Sequence, residues 1–211
     1  MKRAILLLVL TCALLLTACS ADTHVFSVRE DGRCVDEETE IVYTMLDGFF
    51  EAGRSGEEIG RYEDERNGYS QVFYAIPDLD PNVFLTDDNG DVYCSDGTLP
   101  AFADWKIDTL LVCREIGIMD EVKQRFDATA NAQTVAAVRA LWLEGQDLGN
   151  VFLLEDVTSR YAVKMGSAAY PNLYGALELR FTESGAYLCD KGGHRTVLVD
   201  AEFAALLCGE K

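Results

Sequence analysis

Two windows of this chain share a cysteine spacing, and that spacing frames what the rest can fold into. Cys94 and Cys113 bracket CSDGTLPAFADWKIDTLLVC, Cys189 and Cys208 bracket CDKGGHRTVLVDAEFAALLC, and each pair encloses eighteen residues. The windows lie 95 positions apart, and at the same offset Gly90 matches Gly185, Gly97 matches Gly192 and Leu111 matches Leu206. Upstream, the segment Ala75 to Leu79 (AIPDL) faces Ala169 to Leu173 (AYPNL) once one residue is allowed for a longer second copy. Self-similarity at a fixed offset marks a repeated supersecondary unit.

The local patterns supply the same elements twice. Asp36 is placed to cap a helix running to about Ala52, because Ile41, Met45 and Phe49 recur every four residues beside Val42, Leu46 and Phe50, with Gly53 as its stop. Its counterpart spans Asn131 to Glu144, with Val135, Val138, Leu141 and Trp142 on one face and Gly145 beyond the end. Strands follow at about 71–76, 83–86 and 91–95, then again at 162–165, 177–182 and 186–190, with tight turns at Asn89-Gly90 and Ser184-Gly185. Each copy closes on a helix carrying its second cysteine, one opened by Asp104 and ending near Gly117, the other Ala201 to Cys208 capped by Asp200. Residues 107–113 also read as a strand. The expected fold is therefore α+β, two tandem units each made of a helix, an antiparallel meander and a closing helix, over residues 34–117 and 130–211 with a connection at 118–129.

The first nineteen residues, MKRAILLLVLTCALLLTAC, are of another kind. Lys2 and Arg3 precede an apolar stretch from Ala4 to Leu16, and Leu16-Thr17-Ala18-Cys19 sets small residues ahead of a cysteine. This stretch resembles the lipobox of bacterial lipoproteins. The resemblance covers the leader alone and implies removal of residues 1–18, a diacylated Cys19 carrying palmitate-class chains, and a tether over residues 19–33. It places the mature chain on the extracytoplasmic side of a cell membrane, the membrane being its partner through the anchor. Each buried methylene of an acyl chain adds about 0.8 kcal/mol, so two chains hold a domain stably.

The chain carries 36 acidic and 18 basic side chains, and losing Lys2 and Arg3 with the leader takes the formal charge from −18 to −20. That balance excludes nucleic acid as a partner, since phosphate binding needs a clustered basic footprint. It is compatible with a cationic ligand, a basic peptide or a divalent metal, and it keeps an exposed protein soluble.

The cysteines read in two ways. Cys94 with Cys113 and Cys189 with Cys208 are candidate disulfides, each worth on the order of 3 kcal/mol in the loop-entropy model and permitted outside the cytoplasm. The same four residues also suit buried thiols. Cys34 has no counterpart and is left either as a thiol near the tether or for intermolecular pairing.

Chemistry-bearing motifs are sparse. His24 and His194 are the two histidines, and His194 lies five positions after Cys189 without the close cysteine pair that zinc sites use. Asp87, Asn89, Asp91 and Ser95 fit positions 1, 3, 5 and 9 of a calcium loop, but Val92 and Thr98 stand where it needs glycine and glutamate. The segment GRYEDER at 60–66 is dense in carboxylates that could act as acid and base. Tyr170 and Tyr174, flanking Pro171-Asn172-Leu173, are the candidate ligand rim, able to stack on a sugar ring or a peptide. No catalytic, cofactor or metal motif is recognisable, so the expectation is a non-enzymatic module that binds an envelope protein or ligand. The alternative is a cell-wall hydrolase using carboxylates. A transporter's solute-binding component, with two large parallel-sheet lobes, fits the hairpin-rich pattern poorly.

Overall fold

The computed structural model describes residues 23–46, 49–53, 55–95, 99, 101–116, 119–150, 157–191 and 194–209. Cys19 and the rest of the leader, together with Gly97, Thr98, Gly117, Ile118 and Gly192, lie outside them.

The described chain is mostly β, in two sheets, and the expected α+β tandem is overturned. Seven strands close a barrel in the order β1 (His24–Val28), β2 (Cys34–Asp36), β3 (Val42–Met45), β8 (Val92–Ser95), β7 (Phe84–Asp87), β6 (Tyr69–Ala75) and β5 (Glu58–Asp64). A second antiparallel sheet runs β10 (Met119–Asp127), β9 (Thr109–Ile116), β11 (Ser159–Ser167), β12 (Tyr170–Phe181), β13 (Ala186–Cys189) and β14 (Thr196–Val199). The short β4 (Phe50–Ala52) leaves the barrel path to pair with β12, tying the sheets together.

The first predicted helix fails for a local reason. Ile41-Val42-Tyr43-Thr44 is rich in β-branched and aromatic residues, which suit a strand better than a helix. Asp36 does accept N–H groups, from Glu38 at 2.9 Å and Thr39 at 3.4 Å, but Glu40 then takes φ 61° and the chain turns back into β3. The four-residue apolar spacing thus feeds two cores, Tyr43 one and Leu46, Phe49 and Phe50 the other. The segment read as a closing helix from Asp104 is a short 3-10 turn, Phe102–Asp104, followed by β9, which pairs on both sides. The connection at 118–129 is largely β10, and residues 24–28 of the expected tether form β1.

In the second half, α1 (Ala132–Glu144) buries Val135, Val138 and Trp142, and the Gly145 N–H closes it on the Leu141 carbonyl. Helix α2 (Ala201–Cys208) starts on Asp200, whose carboxylate accepts the N–H groups of Glu202 and Phe203, and ends on Gly209 at φ 71°. Since 42–45 and 50–52 form strands where 131–144 would demand a helix, and 109–116 a strand where 201–208 is helical, the tandem-unit repeat does not hold. One correspondence survives: the residue after each matched proline, Asp78 or Asn172, is left-handed, at φ 68° and 60°. The two turns also touch, with Asn172 Nδ2 donating to the Pro77 carbonyl at 2.9 Å and to Asp78 Oδ2 at 3.3 Å.

Alternation along β7 and β8 serves both cores. Phe84, Val92 and Cys94 join the large core with the second sheet and the two helices, while Leu85 and Tyr93 point into the barrel with Phe26, Cys34, Tyr43 and Phe73. Cys94, Cys113, Cys189 and Cys208 are all buried, the first three on strands β8, β9 and β13 and the last at the end of α2. Cys34 is buried in the barrel, which removes it from intermolecular pairing, and burial foremost, with Asp87 nearby, pushes its thiol up to about 11.

The barrel closes where β1 meets β5 in parallel, His24 opposite Gly60 and Val25 opposite Arg61. A β-carbon at Gly60 would run into the His24 carbonyl oxygen and come within 2.7 Å of the Phe26 ring. Because the first obstacle is backbone, Gly60→Ala is expected to pry β1 off, costing about 1–3 kcal/mol as overpacking does. Native-state hydrogen exchange should show β1 amides exchanging faster while α1 stays protected; unchanged β1 protection would contradict this closure.

Candidate functional site

Two depressions flank the loop between β6 and β7. The first is a groove of about 170 Å³ built by the β11–β12 hairpin with the start of β9 and the end of β10, lined by Asp108, Thr109, Arg125, Ser167, Asn172 and Tyr174 among others. Tyr174 sits opposite Gly166 on β11 and Glu51 on β4. A methyl group at Gly53 would come within 2.5 Å of its ring, and one at Gly166 within 3.0 Å, so the two glycines make the space the ring occupies. Asp108 accepts the Ala168 N–H at 2.9 Å, and that bond, with Lys106 at 3.2 Å, holds its carboxyl below the usual carboxylate range. Arg125 is exposed and pairs with Asp127 at 3.1 Å.

Of the expected rim, the structure puts both tyrosines on this groove but in different roles. The Tyr170 ring is committed to packing, stacked on Trp105 at 4.8 Å and edge-on to Phe84 at 6.1 Å. Tyr174 is the half-buried aromatic that faces the groove. Arg125 and Asp108 were not legible as site residues, because one lay in a supposed connection and the other in a supposed helix.

The second depression, about 230 Å³, is at the barrel mouth, lined by His24, Asp36, Tyr43, Glu57, Glu58, Ile59, Pro81 and Asn82. His24 Nδ1 bonds Asp36 Oδ2 at 2.6 Å, leaving Nε2 turned toward Glu38 at 3.8 Å. Burial alone would raise the Asp36 carboxyl, but His24, the Thr39 hydroxyl and the Glu38 and Thr39 N–H groups outweigh it and hold it low. Tyr43 donates to the Pro81 carbonyl at 2.9 Å, and burial, reinforced by Asp36, pushes its hydroxyl up to about 12. The pair is invisible in sequence because twelve residues separate its members, one assigned to a tether and the other to a cap.

The remaining candidates are occupied by structure. Asp87 accepts from the N–H groups of Asn89 and Asp91 at 2.9 and 3.0 Å and from Gln71 at 2.7 Å, which is the bonding of a hairpin turn. In GRYEDER, Arg61 pairs with Glu58 at 2.6 Å, and Asp64 caps the following turn through the Arg66 N–H and the Asn67 side chain. Cys189 is wholly buried while His194 is 86% exposed. Among the described residues no group of three or more histidine, cysteine or acidic side chains is arranged to hold a metal, and no helix is long and apolar enough to cross a membrane. Comparison with known proteins finds no matching family model, no matching curated protein and no matching solved structure.

Proposed function

We propose that this chain is a lipid-anchored, extracytoplasmic binding module that takes its ligand in the groove beside Tyr174. The location rests on the leader, whose basic start, apolar run and terminal Leu-Thr-Ala-Cys end at the acylated Cys19. The observation that carries the binding reading is the groove itself. An aromatic ring fixed between two glycines borders a guanidinium, a carboxylate and hydroxyl groups, the mix of one apolar surface and a few placed polar groups that orients small ligands. Its size suits one sugar ring or one or two peptide side chains, the ligands a tyrosine rim favours.

The test is binding of the mature chain to a panel of envelope saccharides and peptidoglycan peptides, with Arg125→Ala and Tyr174→Phe alongside the native protein. A groove ligand is expected to lose at least about tenfold in affinity with Arg125→Ala, as losing a charged hydrogen bond of roughly 1.5–3 kcal/mol does. Undiminished binding by both variants would sink the groove as the site. The hydrolase reading keeps one specific observation in its favour, the His24–Asp36 pair beside the barrel-mouth cavity, an imidazole oriented by a carboxylate as a general base would be. Cleavage of any panel member by the native chain that His24→Gln abolishes would favour that reading instead.

A further inference from the structure

We infer that the His24 end of the barrel is the face by which this protein meets the bilayer, so that the barrel-mouth cavity opens onto the phospholipid headgroup layer. This rests on the reading of Cys19 as the lipid anchor. The occupant is a lipid surface, because the chain between anchor and fold is short.

β1 begins at His24, five residues beyond Cys19. Fully extended, five residues reach about 17 Å. An acylated cysteine holds its sulfur near the edge of the hydrocarbon, and the headgroup layer above that edge takes up roughly 5–7 Å of the reach. The start of β1 is thereby confined to within about 10 Å of the headgroup surface. The barrel is taller than that slack: β5 has seven residues, or about 23 Å of strand, which a strand tilt of about 40° reduces to an axial height of roughly 17 Å. Turning the barrel over would lift His24 by that height, beyond what the tether spans. Standing on its far end is thus excluded, and the upright arrangement, which leaves the most slack in the tether, sets the His24 end against the lipid.

The register places the cavity at that end. Glu58 pairs with Tyr74 near the mouth, whereas Asp64 pairs with Tyr69 at the opposite end of the same hairpin. Tyr43, Ile59 and Pro81 supply apolar wall to the mouth, and Glu57 and Asn82 stand exposed on its rim. The loop that carries Pro81 and Asn82 also carries Pro77 and Asp78 against Asn172 of the groove, so a groove ligand is held beside the same surface.

The experiment uses the full lipidated protein in vesicles of phosphatidylethanolamine and phosphatidylcholine containing a headgroup-nitroxide lipid. Single variants Glu57→Cys and Asn82→Cys at the mouth, and Tyr69→Cys at the far end, are labelled with a small fluorophore; Cys34, Cys94, Cys113, Cys189 and Cys208 are buried and stay unlabelled. Intact mass of the same samples reports acylation of Cys19. The inference expects quenching at both mouth positions at least about threefold stronger than at residue 69. Equal quenching at the two ends, or stronger quenching at residue 69, with Cys19 acylated, would overturn the orientation and leave the anchor standing. A mature chain without acyl mass at Cys19 would overturn both.

Discussion

Removing the carboxylate of Glu51 is expected to cost this protein about 3–5 kcal/mol, the range for stripping one partner from a buried ion cluster. Glu51, on β4, faces two lysines: Lys164 of β11, which is 7% exposed, and Lys191 at 2.6 Å. Burial raises the Glu51 carboxyl, but the two lysines outweigh it and hold it below its ordinary value of 4.5. Glu51→Ala takes away the charge that balances Lys164, from a strand that joins the second sheet by pairing with β12. A carboxyl with a lowered folded pKa contributes its full stability above 4.5 and loses it as pH falls through the folded value. Urea unfolding should therefore show the native chain losing stability below about pH 4.5 more steeply than Glu51→Gln, which keeps the shape and drops the charge. A loss under 1 kcal/mol for Glu51→Ala at neutral pH, with an unchanged urea slope, would mean the cluster contributes little.

That cluster also shows where sequence reasoning reaches its limit. Glu51 lies on a predicted helix and the two lysines on or beside predicted strands, and nothing local joins Glu51 to a lysine 113 residues away or to one farther still. Elements that announce their own boundaries were legible: α2 is set by the Asp200 cap and Gly209, α1 by its apolar face and Gly145, and the Asn89-Gly90 turn by a glycine at φ 80°. The misread stretches, 36–52 and 104–117, are those whose apolar spacing suits either a helix or a strand shared between two cores, and there long-range pairing decides. The apolar run of β9 reads as a strand as readily as a helix, and the pairing of β10 and β11 on either side of it decides for the strand. The proline segments share a left-handed residue after the proline, though one is a turn and the other opens β12, and they meet in space, which a linear comparison cannot reveal. In the groove, Tyr174 was legible from its aromatic setting, whereas Arg125 sits on a strand read as a connection and Asp108 at the start of one read as a helix.

Phe73→Ala is expected to cost a further 3–5 kcal/mol, the usual range for deleting a buried phenyl ring. Phe73 is fully buried at the centre of the barrel, 4.6 Å from the Phe26 ring and 5.2 Å from the Tyr93 ring, which it meets edge-on. The barrel core is small, with Cys34, Tyr43 and Leu85 completing it, so few neighbours can move in to fill the space. For a chain of this size such a loss lowers the melting temperature by roughly 10 °C. The damage should not stay in the barrel. On β7, Leu85 contacts the barrel core and its neighbour Phe84 the large core; on β8, Tyr93 lies between Val92 and Cys94 in the same way. A strand that loses its footing on one face carries the other face with it, so calorimetry of the variant is expected to show one cooperative transition at the lower temperature. A split into two transitions, the upper one unmoved from that of the native chain, would show instead that the second sheet and its helices stand without the barrel.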